Sequence, residues 1–194
     1  MYTIHGFNVK NSLEDMTVKE FEKISSILQD PELEQLERYI TMLEYLGMPD
    51  AVLNKLTDDE LFDVIGSFTA KEYEDILIPE VEIGGYRYVA YEGDSFKLLA
   101  RDLLLIEKAI KRSTNYMSTI IGIVFKREDL TATEHFANAH IVHKAALFGE
   151  LNAAQMYPYL VHITSTINQK IKKHVETTAQ PTPELTTTDT EPTT

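Results

Sequence analysis

Cysteine and tryptophan are both missing from the 194 residues. With no thiol there is no disulfide, no thiolate metal site and no cysteine nucleophile, and the absence is neutral between compartments. Positive charge is in short supply: 18 Lys and Arg stand against 31 Asp and Glu, a formal net charge of -13. Broad binding to a phosphate backbone needs clustered cations to displace counterions, so direct nucleic-acid binding is not expected. The few cationic groupings, Lys108, Lys111 and Arg112 and then Lys170, Lys172 and Lys173, fall near the ends of predicted helices, where they complement the macrodipole. Long apolar runs are absent as well. The longest, Ile120 to Phe125 with Gly122 inside it, is far short of the roughly 20 residues that cross a bilayer, so no membrane association is expected. Met1-Tyr2-Thr3-Ile4-His5-Gly6 lacks the basic region and apolar core of a signal peptide, which predicts residence in the cytosol that makes the chain.

Catalytic signatures are lacking too. There is no Gly-x-Ser-x-Gly elbow, no Ser-x-x-Lys with its partner motifs and no phosphate-cradling glycine loop. Asp58-Asp59 and Glu74-Asp75 fall at exposed helix edges or ends, where burial cannot raise a carboxyl into the general-acid range. Glu134, His135, His140, His143 and His162 include one i, i+3 histidine pair able to face a metal from a single helix. No second carboxylate falls one turn away on that face, as helical di-metal sites require, so neither a metal nor a cofactor is expected and the chain reads as a non-enzyme.

What the sequence does contain is punctuation. Thr17-Val18-Lys19-Glu20, Thr57-Asp58-Asp59-Glu60, Thr69-Ala70-Lys71-Glu72 and Thr131-Ala132-Thr133-Glu134 are capping boxes, each marking a helix start. Phe21, Ile24, Ile27 and Leu28 give the first helix its apolar side. Asp30-Pro31 predicts the start of a second, in which Leu33, Leu36, Ile40, Leu43 and Gly47 recur in a 3-4 rhythm with Tyr39, Met42 and Leu46 on a flank. More than one apolar face implies two neighbours. Gly47-Met48-Pro49 ends it. Val81 to Tyr91 alternates about Gly84-Gly85, a pair suited to the positive φ angles of a type I′ hairpin turn. The strongest helix follows, capped by Asp94 or Ser95, with Phe96, Leu99, Leu103, Ile106 and Ile110 in its stripe.

Residues 116 to 125 predict a helix apolar nearly all round, hence central, and Lys126 to Asp129 a charged surface connection. Helix 131 to 148 is expected to bury Phe136, Ala139 or His140, Val142 or His143, Ala146 and Leu147. A final helix from about Asn152 to Val175 carries Pro158, either as a kink or as a second start. Residues 1 to 12 read as an arm or a short strand. Residues 177 to 194 are half threonine with three prolines and only acidic charge, a composition that predicts a solvated tail.

The resulting expectation is a mainly α protein: a bundle of about seven helices with one β-hairpin and a disordered C-terminal tail. It divides into an acidic helical region at 1–78, a hairpin plus helical core at 79–175 and the tail at 176–194. The acids between Asp30 and Asp75, among them Glu34, Glu37, Glu44, Asp58 and Asp59, form either a solvated face or a docking surface for a basic partner, which their charge would steer. Tyr86 and Tyr88 share one hairpin face and read as core or contact residues.

The order of Met16-Thr17-Val18-Lys19-Glu20-Phe21 opening a helix, small acidic helices, Ile83-Gly84-Gly85-Tyr86-Arg87-Tyr88, a Leu-rich helix and then helices from Asn115 to Lys173 resembles small virion-associated proteins of tailed bacteriophages, especially crAss-like phages. It is also similar to tail-assembly chaperones of other tailed phages. The resemblance covers roughly residues 16 to 175. It implies a non-enzymatic role through protein–protein contacts in the virion or the host cytoplasm: cargo, structural component or chaperone, with phage structural or tail proteins as partners. A homo-oligomer is compatible with it. The reading from another class is an acidic adaptor that binds a host protein.

Overall fold

The computed structural model describes residues 2–68, 77–90, 100–112 and 116–178. The capping box at Thr69, the caps at Asp94 and Ser95, the stripe residues Phe96 and Leu99, and the tail beyond Thr178 lie outside them. Among the described residues the chain is mainly helical, with nine helices and five short strands.

The first residues settle into a hairpin. Strands β1 (Tyr2–Ile4) and β2 (Phe7–Val9) pair antiparallel, with Ile4 opposite Phe7, around His5 and Gly6 at φ 47° and 79°. A 3-10 turn, Leu13–Asp15, then leads into α1 (Val18–Leu28), where Thr17 and Glu20 close the expected capping box: Glu20 N–H donates to Thr17 Oγ1 and Thr17 N–H to the Glu20 carboxylate, at 3.2 and 2.9 Å. Asp30-Pro31 does not start a helix. Asp30 accepts from Glu32 N–H in a turn instead, and α2 runs Gln35–Tyr45, with Glu37 reaching back to the amide of Glu34 at 2.9 Å. A proline at a first-turn position suits a helix but does not compel one when a better box lies four residues on. Gly47, at φ 85°, ends α2 with the Met48 amide on the Leu43 carbonyl, as the Gly-Met-Pro sequence predicts. Short α3 (Asp50–Leu53) and α4 (Asp58–Ser67), capped by Thr57 and Glu60, complete this part.

Gly84 and Gly85 take φ 60° and 78°, turning β3 (Glu80–Ile83) into β4 (Tyr86–Ala90) in the expected register, Ile83 opposite Tyr86. The predicted surface connection after the central helix is in fact a strand, β5 (Phe125–Arg127), which pairs antiparallel with the free edge of β4. Three residues are too few to show a period, and an unpaired edge with open donors and acceptors draws them in. Helix α5 (Ala100–Arg112) buries Ile106, Ala109 and Asp102, while Leu104 and Ile110 are half exposed. Helix α6 (Tyr116–Val124) is buried from Ile120 onward and lies at the centre, as an apolar wheel requires. It packs so closely on the helix from Asn138 that a Cβ on Gly122 would sit 3.1 Å from the Ala145 amide nitrogen.

The predicted helix 131–148 is two: α7 (Ala132–His135), opened by the Thr131–Glu134 box, and α8 (Asn138–Gly149), separated by an extended Ala137. The break resets the phase, so α8 buries Ile141, Lys144 and Phe148, while Val142 and His143 face out, the reverse of the expected register. Last, α9 (Ala153–Thr178) continues through Pro158 and ends within the span assigned to the tail.

Two clusters fill the interior. One gathers Ile4, Val9, Leu13, Met16, Ile24, Ile27, Met42, Leu43, Met48, Leu61 and Val64; the other gathers Val18, Tyr88, Ile106, Ile120 to Phe125, Ile141, Phe148, Met156, Tyr159 and Ile163. Helices α1 and α9 serve both, since Val18 belongs to the second and Ala153 to the first. The start of α9 is laced to the start of α1: Val18 N–H donates to the Leu151 carbonyl and Ala153 N–H to that of Met16, at 2.9 and 2.8 Å. Glu22 adds a second tie. Its carboxylate, on α1, accepts from the Met117 amide and from the Ser118 hydroxyl at 3.0 Å, capping the N-terminus of α6 from another helix.

Candidate functional site

Helix α2 has more apolar surface than it has neighbours. Met42 and Leu43 point into the first cluster and are buried, but Leu36 and Ile40, one turn apart and on the same stripe as Leu43, keep 52 and 42% of their surface exposed. The expected rhythm does set Leu36, Ile40 and Leu43 on one stripe, but only its Leu43 end is covered, and the Leu36–Ile40 end looks across a groove to α3 and the first turn of α4. That groove is a hollow of about 390 Å3 floored by Leu36, Ile40, Leu53, Leu56 and Leu61, and rimmed by the carboxylates of Glu44, Asp50 and Asp58 with Asn54 and Thr57 between them. Among the described residues no lysine or arginine lines it.

The rim acids come from helix geometry. Asp50 and Asp58 occupy first turns, where negative charge is favoured by the exposed amide dipoles. Glu44 lies one turn beyond Ile40 on α2 and so continues the same face. The groove thus has an aliphatic floor and an acidic rim. It can bind an apolar edge flanked by cations.

Of the residues singled out from sequence, Glu44 and Asp58 meet at this groove. Asp59 is exposed in the first turn of α4 but does not line the groove, and Glu34 and Glu37 are engaged with each other at the start of α2. Tyr86 is exposed on β4, with the Arg127 guanidinium 4.2 Å from its ring centroid. Of its two readings Tyr88 takes the core one and not the contact one: it is fully buried, edge-on to Phe148 with centroids 5.4 Å apart, because β4 enters the interior between these two positions.

One polar cluster escaped sequence reading. Lys144 is 2% exposed, and its Nζ donates to the Phe125 carbonyl at 3.1 Å and lies 3.0 Å from His135 Nδ1, which places the ring proton on Nε2 when the lysine is the donor. Burial lowers the lysine to about 7, against the opposing pull of the Asp102 carboxylate, with Lys126 lowering it further. Burial also takes His135 down to about 3, helped by the charge of Lys144. A near-neutral amine is a chemically capable group, yet at this depth it meets no substrate without opening the core, and its bonds tie α8 to β5 and α7. No signal in the sequence pointed to it, because the 3.6-residue pattern does not announce the break at Ala137 that sets the phase of α8. Among the described residues no three His, Asp or Glu converge as a metal site, with His143 exposed and His140 and His162 half-buried elsewhere. No helix there is long and apolar enough to cross a membrane.

No family model matches the chain, and no solved structure does. It is similar to a curated protein of Mycoplasma capricolum, ATP synthase subunit delta, with 28% identity over 99 residues that cover 47% of this chain and 55% of the relative. The chain thus spans about half the length of that protein.

Proposed function

We propose that the chain is a non-enzymatic bacteriophage protein, a cargo or structural component of the virion or an assembly factor, that works by offering helix faces to other phage proteins. The observation that carries the reading is α2, which leaves Leu36 and Ile40 half exposed beside a rim of carboxylates. Apolar surface left open and bordered by charge marks a contact site on a folded protein. The buried setting of Lys144 and His135 supports the non-enzymatic side, because the two are engaged with each other and the lysine also with the Phe125 carbonyl. The order of helices and hairpin, set beside that of phage virion-associated proteins and tail-assembly chaperones, supplies the biological context.

Mass spectrometry of purified particles tests the reading. Presence in the particle selects cargo or structural component; absence together with association with tail proteins in infected cells selects the chaperone. A chain that associates with host proteins alone is an acidic adaptor, and the proposal fails.

The similarity to a protein named as a subunit of ATP synthase favours a second reading, membership of a multi-subunit complex of that kind. Co-purification with ATPase activity from membranes would select it over the first.

A further inference from the structure

We infer that the groove between α2 and the α3–α4 corner seats one amphipathic helix of a partner protein, its apolar edge on Leu36, Ile40, Leu53 and Leu61 and its lysines or arginines against Glu44, Asp50 and Asp58. This rests on the assembly reading and adds the chemistry of the partner. The floor follows α2 from Leu36 to Glu44, roughly 12 Å at the rise of an α-helix, the length of about two turns. A helix laid along it would present anchors at i, i+3 or i+4 and i+7, the spacing of helix-in-groove recognition. Charge selects the flanks. Among the described residues three carboxylates and no cation line the groove, so an incoming acidic helix meets repulsion and a basic one is steered in.

The same argument turns away the chain's own C-terminal residues 179–194, which carry no lysine or arginine. A second copy, at a net charge of -13, brings repulsion over most of its surface. The exposed, substitutable floor residue is Ile40, and its neighbours Met42 and Leu43 already supply the seat of α2, so a polar residue at 40 leaves the fold in place.

The test uses the full chain and a fluorescein-labelled synthetic amphipathic helix of leucine and lysine, read by anisotropy, with one companion peptide bearing glutamate for lysine and another bearing glutamine for leucine. The leucine–lysine helix should bind, and both companions should bind at least roughly tenfold more weakly. Ile40→Asp, with an unchanged circular-dichroism spectrum and a melting temperature within about 4 °C of the parent, should weaken binding by about tenfold or more. The triple variant Glu44→Gln, Asp50→Asn, Asp58→Asn should do the same and flatten the salt dependence, whereas a control triple away from the groove, Glu32→Gln, Asp63→Asn, Glu82→Gln, should leave affinity within about twofold. Equal loss in the two triple variants would reduce the effect to attraction by overall charge and overturn the proposal. So would undiminished binding to Ile40→Asp. A concentration-dependent dimer in sedimentation, dissolved by Ile40→Asp, would assign the groove to a second copy instead. Each of these results leaves the particle measurement standing on its own, since another face could hold phage proteins; a failure in particles and infected cells with binding intact would sink the assembly reading and spare the groove.

Discussion

Two helical glycines should respond oppositely to the same methyl group. At Gly122 in α6, a Cβ would come within 3.1 Å of the Ala145 amide nitrogen, 3.2 Å of Lys144 Cβ and 3.3 Å of the Lys144 carbonyl carbon. These are atoms of the α8 backbone or rigidly fixed to it. Relief therefore requires displacing α8, which carries Ile141, Lys144 and Phe148 into the core. Overpacking of this kind costs about 1–3 kcal/mol, and the gain in helix propensity on replacing glycine by alanine returns up to about 1 kcal/mol. The balance for Gly122→Ala is a loss of about 1–2 kcal/mol, and Gly122→Val should lose more. At Gly66 in α4 no atom of the described residues lies within 4 Å of the added atom, and the propensity term stands alone, reduced by the nearness of the helix end. Gly66→Ala should gain a few tenths of a kcal/mol, up to about 0.5. Urea unfolding followed by circular dichroism separates the two, and thermal midpoints should move by roughly 2–4 °C per kcal/mol in a chain of this size. A Gly122→Ala protein as stable as the parent would refute the close α6–α8 packing on which the central layer rests.

Four further outcomes follow from the buried charges and the open groove. Lys144 is depressed to about 7 in the folded state, so the fold favours its neutral form. Its contribution is full above the unfolded value of about 10.5 and is lost as pH falls through about 7. Stability measured by urea unfolding should therefore rise by a few kcal/mol between about pH 7 and pH 10, and Lys144→Met should flatten that slope. His135, taken down to about 3, adds a second loss as pH falls from about 6.5 toward 3, so acid unfolding should set in well before the exposed carboxylates alone would cause it. Glu22 has the opposite sign: burial raises its carboxyl, so its favourable contribution is present below about 4.5 and is lost as pH rises through the folded value. Relative to the parent, Glu22→Gln should fare best at neutral pH and worst near pH 4, while Glu22→Ala, which strips the Met117 amide and Ser118 hydroxyl of their acceptor, should cost about 1–3 kcal/mol throughout. Ile40→Asp, which gives up the buried half of an apolar side chain, should cost about 1 kcal/mol in the same assay.

The parts of the fold that could be read in advance are those encoded within three or four residues. Thr17 with Glu20, Thr57 with Glu60 and Thr131 with Glu134 each start a helix because donor and acceptor sit on the same turn, and Gly47, Gly84 and Gly85 mark turns that require positive φ. The parts that could not be read depend on partners distant in sequence. An apolar wheel such as that of α2 says that contacts exist on more than one side, but which side is covered was settled by α1, and Leu36 and Ile40 were left open. The phase of α8 was settled by the extended Ala137, which turned Lys144 inward and Val142 outward. Strand β5 exists because β4 had a free edge to offer, a fact about the sheet and not about Phe125–Arg127. The candidate site was half legible for the same reason. Glu44 and Asp58 stood out as acids, while the leucines and isoleucine between them looked like core.

The central claim is that the chain acts through its helix faces, foremost the groove beside α2. Epitope-tagged chain can be sedimented from lysed cells in which it is naturally made, and the proteins travelling with it identified, for the parent and for Ile40→Asp. The account predicts co-sedimentation of the parent with phage structural or tail proteins and release of that association in the variant. A parent that sediments alone, or an association untouched by Ile40→Asp, would contradict it.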